Sequence, residues 1–305
     1  INLIIIMIKL FKRLFKLVSS PSLAWVFASY QIRKIFYDVF HLFTKKYKYK
    51  IIFIAGMPMS ATTKIKNMCG MIPGYFTRYS PMPYKIAVNQ DISNSAFRYT
   101  PKWSYTLFKT HLNPSDENLE IIKRNGVKKV VVTYRDLRDV ALSRYHRLIK
   151  FPKKKGDPYF SEYHLMKKSD AINDSINAVS ERMVGWINGW KKKANKDKDF
   201  VLFIKFEDLI KNPKDEFIKI LDFYEIKLNE KLISHICRDT EGKKDMVSNM
   251  NESELLPWAL SSNFRSGKIG NWRNEFTEEN VINAKRLLGK SLIELKYEDS
   301  LNWKI

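Results

Sequence analysis

Ile51-Ile52-Phe53-Ile54-Ala55-Gly56-Met57-Pro58-Met59-Ser60-Ala61-Thr62-Thr63 is the stretch that decides the fold. Its first five residues are apolar without a break, which reads as a strand buried on both faces. Gly56 to Thr62 reads as a turn, and a helix is expected to start near Thr63. A helix that opens straight after a buried strand presents unpaired N–H groups and the positive end of its dipole, an arrangement suited to phosphate. The Ser and Thr hydroxyls add donors. The stretch is not a Walker A loop, because Ala61-Thr62-Thr63 stands where that pattern needs Gly-Lys-[Ser/Thr], and this counts against a P-loop kinase. Taken alone, a capped helix start without a ligand fits it as well.

Outward from this point, short apolar runs alternate with helical patterns. Tyr105 to Lys109, Val130 to Tyr134 and Phe200 to Ile204 read as further buried strands. Helices are expected over 114–125, with Pro114 at an early position and Gly126 at the end, and over 137–150, 170–193 and 213–223. Near-continuous apolar strands spaced by helices imply a parallel sheet covered on both faces. In such sheets ligands bind beyond the carboxyl ends of the strands. Three more motifs fall there.

Lys109-Thr110-His111-Leu112 follows the second strand. Alternate residues share a face, so Lys109 and His111 can address one cleft. A His takes a proton from a hydroxyl near neutral pH, and a Lys offsets charge growing on a leaving group. A surface Lys and a satisfied His read equally well. Arg135 closes the next strand, and Ser143 sits in the helix that follows. Together they can grip a phosphate, or Arg135 can pair with Asp136 or Asp139 while Ser143 bonds its own turn. Arg265-Ser266-Gly267-Lys268-Ile269-Gly270-Asn271-Trp272 has the glycines and cations of an anion-binding loop, or of an ordinary basic one.

The chain has 305 residues, 45% of them hydrophobic, with 11 Gly and 11 Pro. That suits one large α/β domain and not a repeat or linker-rich protein. Its 54 Lys and Arg against 32 Asp and Glu give a net charge of +22, which favours anionic partners; a bias toward Lys, Asn and Ile accounts for part of it. No nucleic-acid-binding motif is present, so nucleic acid is not expected as a partner. The two cysteines, Cys69 and Cys237, make no disulfide framework and no CxxC, which fits a reducing, cytoplasmic setting. Five scattered His residues show no zinc spacing, and no metal is expected.

Residues 1–48 read as an N-terminal helical extension ahead of a domain at 49–305. Within it, Ile8, Phe11, Leu14, Phe15 and Val18 share a helical face opposite Lys9, Lys12, Arg13 and Lys16. Such a basic amphipathic helix over 7–18 can rest on an anionic membrane surface, making the protein peripheral there, or it can pack on the domain. No run here reaches the roughly 20 apolar residues that span a bilayer, no signal peptide is apparent, and Met7 is a candidate start. Ile32, Ile35, Phe36, Val39, Phe40 and Phe43 read as a second helix.

Taken together, the motifs resemble the sulfotransferase family, in its cytosolic branch. The strand–Pro-x-Ser-x-Thr-Thr–helix run is similar to that family's 5′-phosphosulfate loop, Tyr134-Arg135 through Ser143 to its 3′-phosphate motif, and Lys109-Thr110-His111-Leu112 to its catalytic-His segment. Phe206-Glu207-Asp208-Leu209 and the Arg265 to Trp272 loop, continued by Phe276-Thr277, match later family segments in order. The resemblance spans 51–277. It implies a P-loop-like three-layer fold with a central parallel sheet, and the nucleotide donor PAPS, leaving as PAP. Pro58, Ser60, Ala61, Thr62, Thr63 and Lys64 would hold the phosphosulfate end of the donor. Arg135, Ser143, Arg265, Ser266 and Gly267 would hold its 3′-phosphate, Phe206 would meet its base, and His111 and Lys109 would be catalytic. The sulfuryl group would pass to a hydroxyl or amine of a small or lipid-like acceptor, its pocket lined by segments 76–102 and 151–168, whose Tyr, Phe, Pro and Lys suit an aromatic or lipid-like acceptor and equally an anionic one.

This chain departs from the family at four of these positions. Met59 stands for a Lys, Ala61 for a Gly, Lys64 for an aromatic that stacks on adenine, and Phe206 for a Tyr. Lys109 or Lys64 is expected to supply the charge that Met59 lacks. The alternative is a catalytically weakened, membrane-surface protein of the same fold that binds PAPS or PAP.

Overall fold

Residues 46–78, 90–97, 105–150, 162–241, 243–248, 259–261 and 267–305 are described by a computed structural model, together with Ile32, Ile35, Phe36 and Val39. These four are helical, as their spacing predicts, and they are exposed. The expected amphipathic helix at 7–18, Arg265, Ser266 and most of 76–102 and 151–168 lie outside the described residues.

Five strands form the main sheet: β1 (Ile51–Gly56), β2 (Tyr75–Arg78), β3 (Tyr105–Thr110), β4 (Val130–Tyr134) and β5 (Val201–Lys205). All pairings are parallel, in the order β2-β3-β1-β4-β5. Parallel neighbours cannot be joined by hairpins, and helices are described between β1 and β2, β3 and β4, and β4 and β5. The helices are α1 (Thr62–Gly70), α2 (Asp116–Arg124), α3 (Leu137–Lys150), α4 (Lys168–Val179), α5 (Gly185–Lys196), α6 (Phe206–Lys211), α7 (Pro213–Phe223), α8 (Glu230–Asp239) and α9 (Glu278–Glu294).

The two faces follow from the period of two along a strand. Phe53, Val130 and Val132 point into a core shared with Ile122, Val140, Ile172, Trp190 and Leu288, from α2, α3, α4, α5 and α9. Ile52, Ile54 and Val131 point the other way, against Ile65, Phe217 and Ile236 of α1, α7 and α8. The result is a three-layer α/β fold. The connection leaving β1 turns toward the β2 edge and that leaving β4 toward β5, so a crevice opens at the carboxyl ends of β1 and β4, where ligands bind in sheets of this kind.

Several boundaries differ from the expected ones for local reasons. Pro114 lies before α2 instead of inside it, because the Ser115 side chain accepts from Asn118 N and makes Asp116 the first helical residue. The single long helix expected over 170–193 is divided by a π-helical turn, Ser180–Val184, between α4 and α5. β2 is a four-residue edge strand, too short to stand out as a pattern. A two-stranded parallel sheet pairs β6 (Lys243–Ser248) with β7 (Ala259–Ser261). Among the described residues no helix is long and apolar enough to cross a membrane.

Phe53 is fully buried in the middle strand, whereas Ile282 on α9 is 68% exposed. Truncating Phe53 to Ala is expected to cost about 3–5 kcal/mol in urea unfolding, and Ile282→Ala less than about 0.5 kcal/mol. Equal costs would contradict the assignment of the core.

Candidate active site

The loop from Gly56 to Thr62 is knitted to the end of β4. Met57 N donates to Thr133 O at 2.8 Å, extending the ladder by one residue. The Ser60 hydroxyl bonds Met57 O at 2.5 Å and Thr133 Oγ1 at 2.6 Å. Thr62 Oγ1 lies 3.2 Å from Thr133 Oγ1. Gly56 makes room for this: a Cβ there would sit 2.0 Å from Thr62 Oγ1 and 2.6 Å from Thr133 Oγ1. Ser60 and Thr62 are both buried. Their hydroxyls, expected as phosphate donors, therefore turn inward and brace the loop. Pro58, Met59, Ala61 and Thr63 are partly exposed.

The backbone of this loop is unusual. Met59 has φ 67° and Ala61 φ 59°, both in the left-handed region, which costs an L-residue about 1–2 kcal/mol. Left-handed residues at a loop-to-helix junction gather N–H groups into an anion-binding concavity; in the first turn of α1, Lys64 N bonds Ala61 O at 2.9 Å, while Thr62 and Thr63 precede any carbonyl their N–H groups could bond within the helix. Ala61 thus adopts the backbone of a glycine while carrying a methyl group. Ala61→Gly is expected to raise stability by up to about 1 kcal/mol in denaturant titration, the strain relief exceeding the extra freedom of Gly in the unfolded chain. A loss of stability would contradict the left-handed assignment.

Arg135, 5% exposed, joins four segments. Its Nη1 donates to Met59 O at 3.3 Å and to Ser143 Oγ at 3.4 Å on α3. Its Nη2 donates to Asp139 Oδ2 at 3.3 Å and to Lys268 O at 2.7 Å. The guanidinium lies over the Phe206 ring, 4.0 Å from its centroid. Phe206 thus serves as the platform of Arg135. Among the described residues the buried Nε of Arg135 has no hydrogen-bond partner. Gly267 and Gly270, at φ 63° and 69°, give the late loop left-handed turns that suit glycine.

The carboxylate of Asp139 fastens that loop, accepting from Gly270 N at 2.8 Å and Trp272 N at 3.1 Å. Burial pushes its pKa above the usual carboxylate range, opposed by Arg135 and these N–H groups. Beside it, fully buried Arg138 lies between the Trp272 and Trp303 rings and pairs with Asp136 and Glu298. Glu207 accepts from Asp136 N at 3.3 Å and from Tyr297 Oη at 2.7 Å. None of these supporting contacts was read from the motifs. The bracing of Ser60 and Thr62 had one available signal, Thr133, a hydroxyl that follows three valines in a buried strand.

His111 lies just beyond β3, partly buried, with Nδ1 2.5 Å from Gly56 O. A carbonyl only accepts, so Nδ1 carries the proton and Nε2 is left to take one. Burial, reinforced by the nearby Lys109 and Arg147 charges, pushes the His111 pKa down to about 4, against the opposing bond to Gly56. Its folded value lies below its unfolded one of 6.5, so the unfolded chain binds the proton first. Stability is therefore lost as pH falls from the unfolded toward the folded value. Lys109 sits on β3 opposite Ile54, its charge within reach of His111. Burial lowers the Lys64 pKa, against the opposing effect of Glu241 and of Cys237 on α8. Of the two cations expected to replace the missing one at Met59, Lys109 is the one whose charge acts on His111.

A family model described as "Sulfotransferase domain" matches residues 50–295. Mouse sulfotransferase 1E1 is 28% identical over 238 residues, 74% of this chain and 77% of that protein. Flavonol 3-sulfotransferase of Flaveria bidentis is 28% identical over 260 residues, covering 79% and 81%. Among solved structures, mouse sulfotransferase SULT7A1 complexed with PAP superposes with a TM-score of 0.58 at 18% identity, over 86% of this chain and 90% of that one. Retinol dehydratase in complex with androsterone and PAP superposes at 0.55 and 19%, over 90% and 88%. With a domain match over most of its length, this chain belongs to the sulfotransferase family, whose sulfuryl donor is PAPS.

Proposed function

We propose that the protein transfers a sulfuryl group from PAPS to a hydroxyl of a small acceptor, with His111 as general base. The observation that carries this reading is the bond from His111 Nδ1 to Gly56 O, which ties the base to the first residue of the anion-binding loop. When bound, PAPS supplies the electrophilic sulfur and a phosphate leaving group.

The residues fit such a donor. The left-handed backbone at Met59 and Ala61 and the start of α1 offer N–H groups to the phosphosulfate end. Arg135 and Ser143, 3.4 Å apart, suit a second phosphate. The guanidinium's bonds to Met59 O and Ser143 Oγ are long at 3.3 and 3.4 Å, and a phosphate, which makes shorter bonds roughly twice as strong as neutral ones, would displace them. Nε, without a partner among the described residues, is a further donor. The net charge of +22 draws such a ligand in. Arg265 and Ser266 are proposed as additional contacts on the resemblance alone.

His111 Nε2 takes the proton of the attacking hydroxyl. Lys109 then serves as the cation that offsets charge developing on the departing phosphate, in place of the Lys that Met59 replaces. Positioning and charge stabilisation carry most of the rate. A small apolar acceptor is supported by the flavonol in one relative's name and by the androsterone in the complex of one structural neighbour. The membrane-surface location of the N-terminal segment rests on its sequence pattern alone.

The test is transfer of label from [35S]PAPS to a panel of hydroxysteroid, flavonol and retinoid alcohols. His111→Ala is expected to lower turnover by roughly 10²–10⁴-fold. Because the His111 pKa is pushed down to about 4, the rate should hold from pH 7 to about 5 and fall only as His111 gains a proton near pH 4. Unchanged turnover in His111→Ala would overturn the assignment of the base, and an acid limb at pH 6–7 would overturn the lowering of its pKa by burial. Tight binding of PAP with no transfer to any acceptor would favour the weakened-enzyme reading.

A further inference from the structure

The segment bearing His111 is held on the side away from the donor loop by two tryptophans whose roles the motifs do not reveal. Trp186 Nε1 donates to Leu112 O at 2.9 Å, and Trp190 Nε1 donates to the same oxygen at 3.2 Å. Both indoles are buried, with ring centroids 6.2 Å apart. One donor would suffice to satisfy a buried carbonyl. Here both lone-pair directions are occupied, which fixes the plane of the peptide as well as its position. On the preceding side, Thr110 Oγ1 donates to Ile54 O at 3.2 Å and accepts from Leu112 N at 3.3 Å. The backbone on either side of His111 is thus anchored independently of its imidazole.

α5 is shaped for this contact. A π-helical turn holds an extra residue, which rotates everything after it by about 100° relative to an uninterrupted α-helix. The turn at Ser180–Val184 immediately precedes the two tryptophans. Between them sits Gly189, where a Cβ would come 2.5 Å from Pro114 Cγ. A helix-interior Gly costs about 1 kcal/mol relative to Ala, and here it lets α5 lie directly against residues 112–114.

We propose that Trp186 and Trp190 are positioning residues for catalysis: by clamping Leu112 O they hold His111 so that its Nδ1 reaches Gly56 O and its Nε2 remains the nitrogen that takes the proton. The proposal rests on His111 being the base, and its test separates the two claims. The probe is the imidazole nitrogen spectrum of 15N-histidine-labelled protein at pH 7. His111 is assigned among the five histidines by its loss in His111→Gln. The variants are Trp186→Phe, Trp190→Phe and the double substitution, with PAP affinity as the control for an intact donor site.

Wild type is expected to show the Nδ1–H tautomer. The double variant should shift most of the population to Nε2–H, each single variant part of it, with PAP affinity within about twofold of wild type. A wild-type tautomer in the double variant would overturn the clamp while leaving the base assignment standing. If the double variant does not fold, the single variants decide, and an unchanged tautomer in both overturns the clamp. A wild-type protein with Nε2–H or cationic His111 at pH 7 would remove the base assignment, and the clamp with it.

Discussion

The site depends on one buried guanidinium. Arg135 directly follows β4 and reaches, with the two nitrogens of its fork, the loop after β1, the first turns of α3 and the late glycine loop, while resting on Phe206 at the start of α6. No sequence neighbourhood joins these segments. They meet because a parallel sheet delivers the ends of β1, β4 and β5 to one edge and because a planar cation with several donors can bond carbonyls, a hydroxyl and a carboxylate together. Asp139 is the necessary counterpart: it neutralises Arg135 at 3.3 Å and orders the glycine loop through two backbone N–H groups. Removing either one leaves the other as an uncompensated buried charge, a loss of several kcal/mol.

The same arrangement explains why a single guanidinium can both assemble the site and suit a ligand. Its bonds to Met59 O and Ser143 Oγ, at 3.3 and 3.4 Å, go to neutral partners that a phosphate would replace. Its salt bridge to Asp139 and its stacking on Phe206 come from other directions. The strain at Met59 and Ala61 belongs to this picture, since backbone held in sparsely populated regions clusters where ligands are gripped. The hydroxyls of Ser60, Thr62 and Thr133 keep the strained loop in place.

Much of the fold was legible because buried parallel strands advertise themselves. Ile51 to Ala55, Tyr105 to Lys109 and Val130 to Tyr134 are near-continuous apolar runs, and each became a strand within a residue of its expected limits. β2 was not legible, because four edge residues carry too little pattern. In the site, spacing was enough to bring Arg135 near Ser143, since both lie on one strand-to-helix unit. It could not show that Ser60 and Thr62 turn inward, because that depends on Thr133, 73 and 71 positions away. Nor could it show that Trp186 and Trp190 converge on Leu112 O, a contact set by the π turn and by the packing of α5 on the loop after β3.

The central claim is that these residues form a donor site for a nucleotide carrying a 3′-phosphate. Calorimetric titration with PAP, beside ATP, on wild type and on Arg135→Ala tests it most directly, with cooperative thermal unfolding of both proteins as the check on their fold. The account predicts PAP binding to wild type, weaker binding of ATP, which lacks the 3′-phosphate, and loss of PAP binding in a folded Arg135→Ala. Equal affinity for PAP and ATP, or PAP binding untouched by Arg135→Ala, would contradict it.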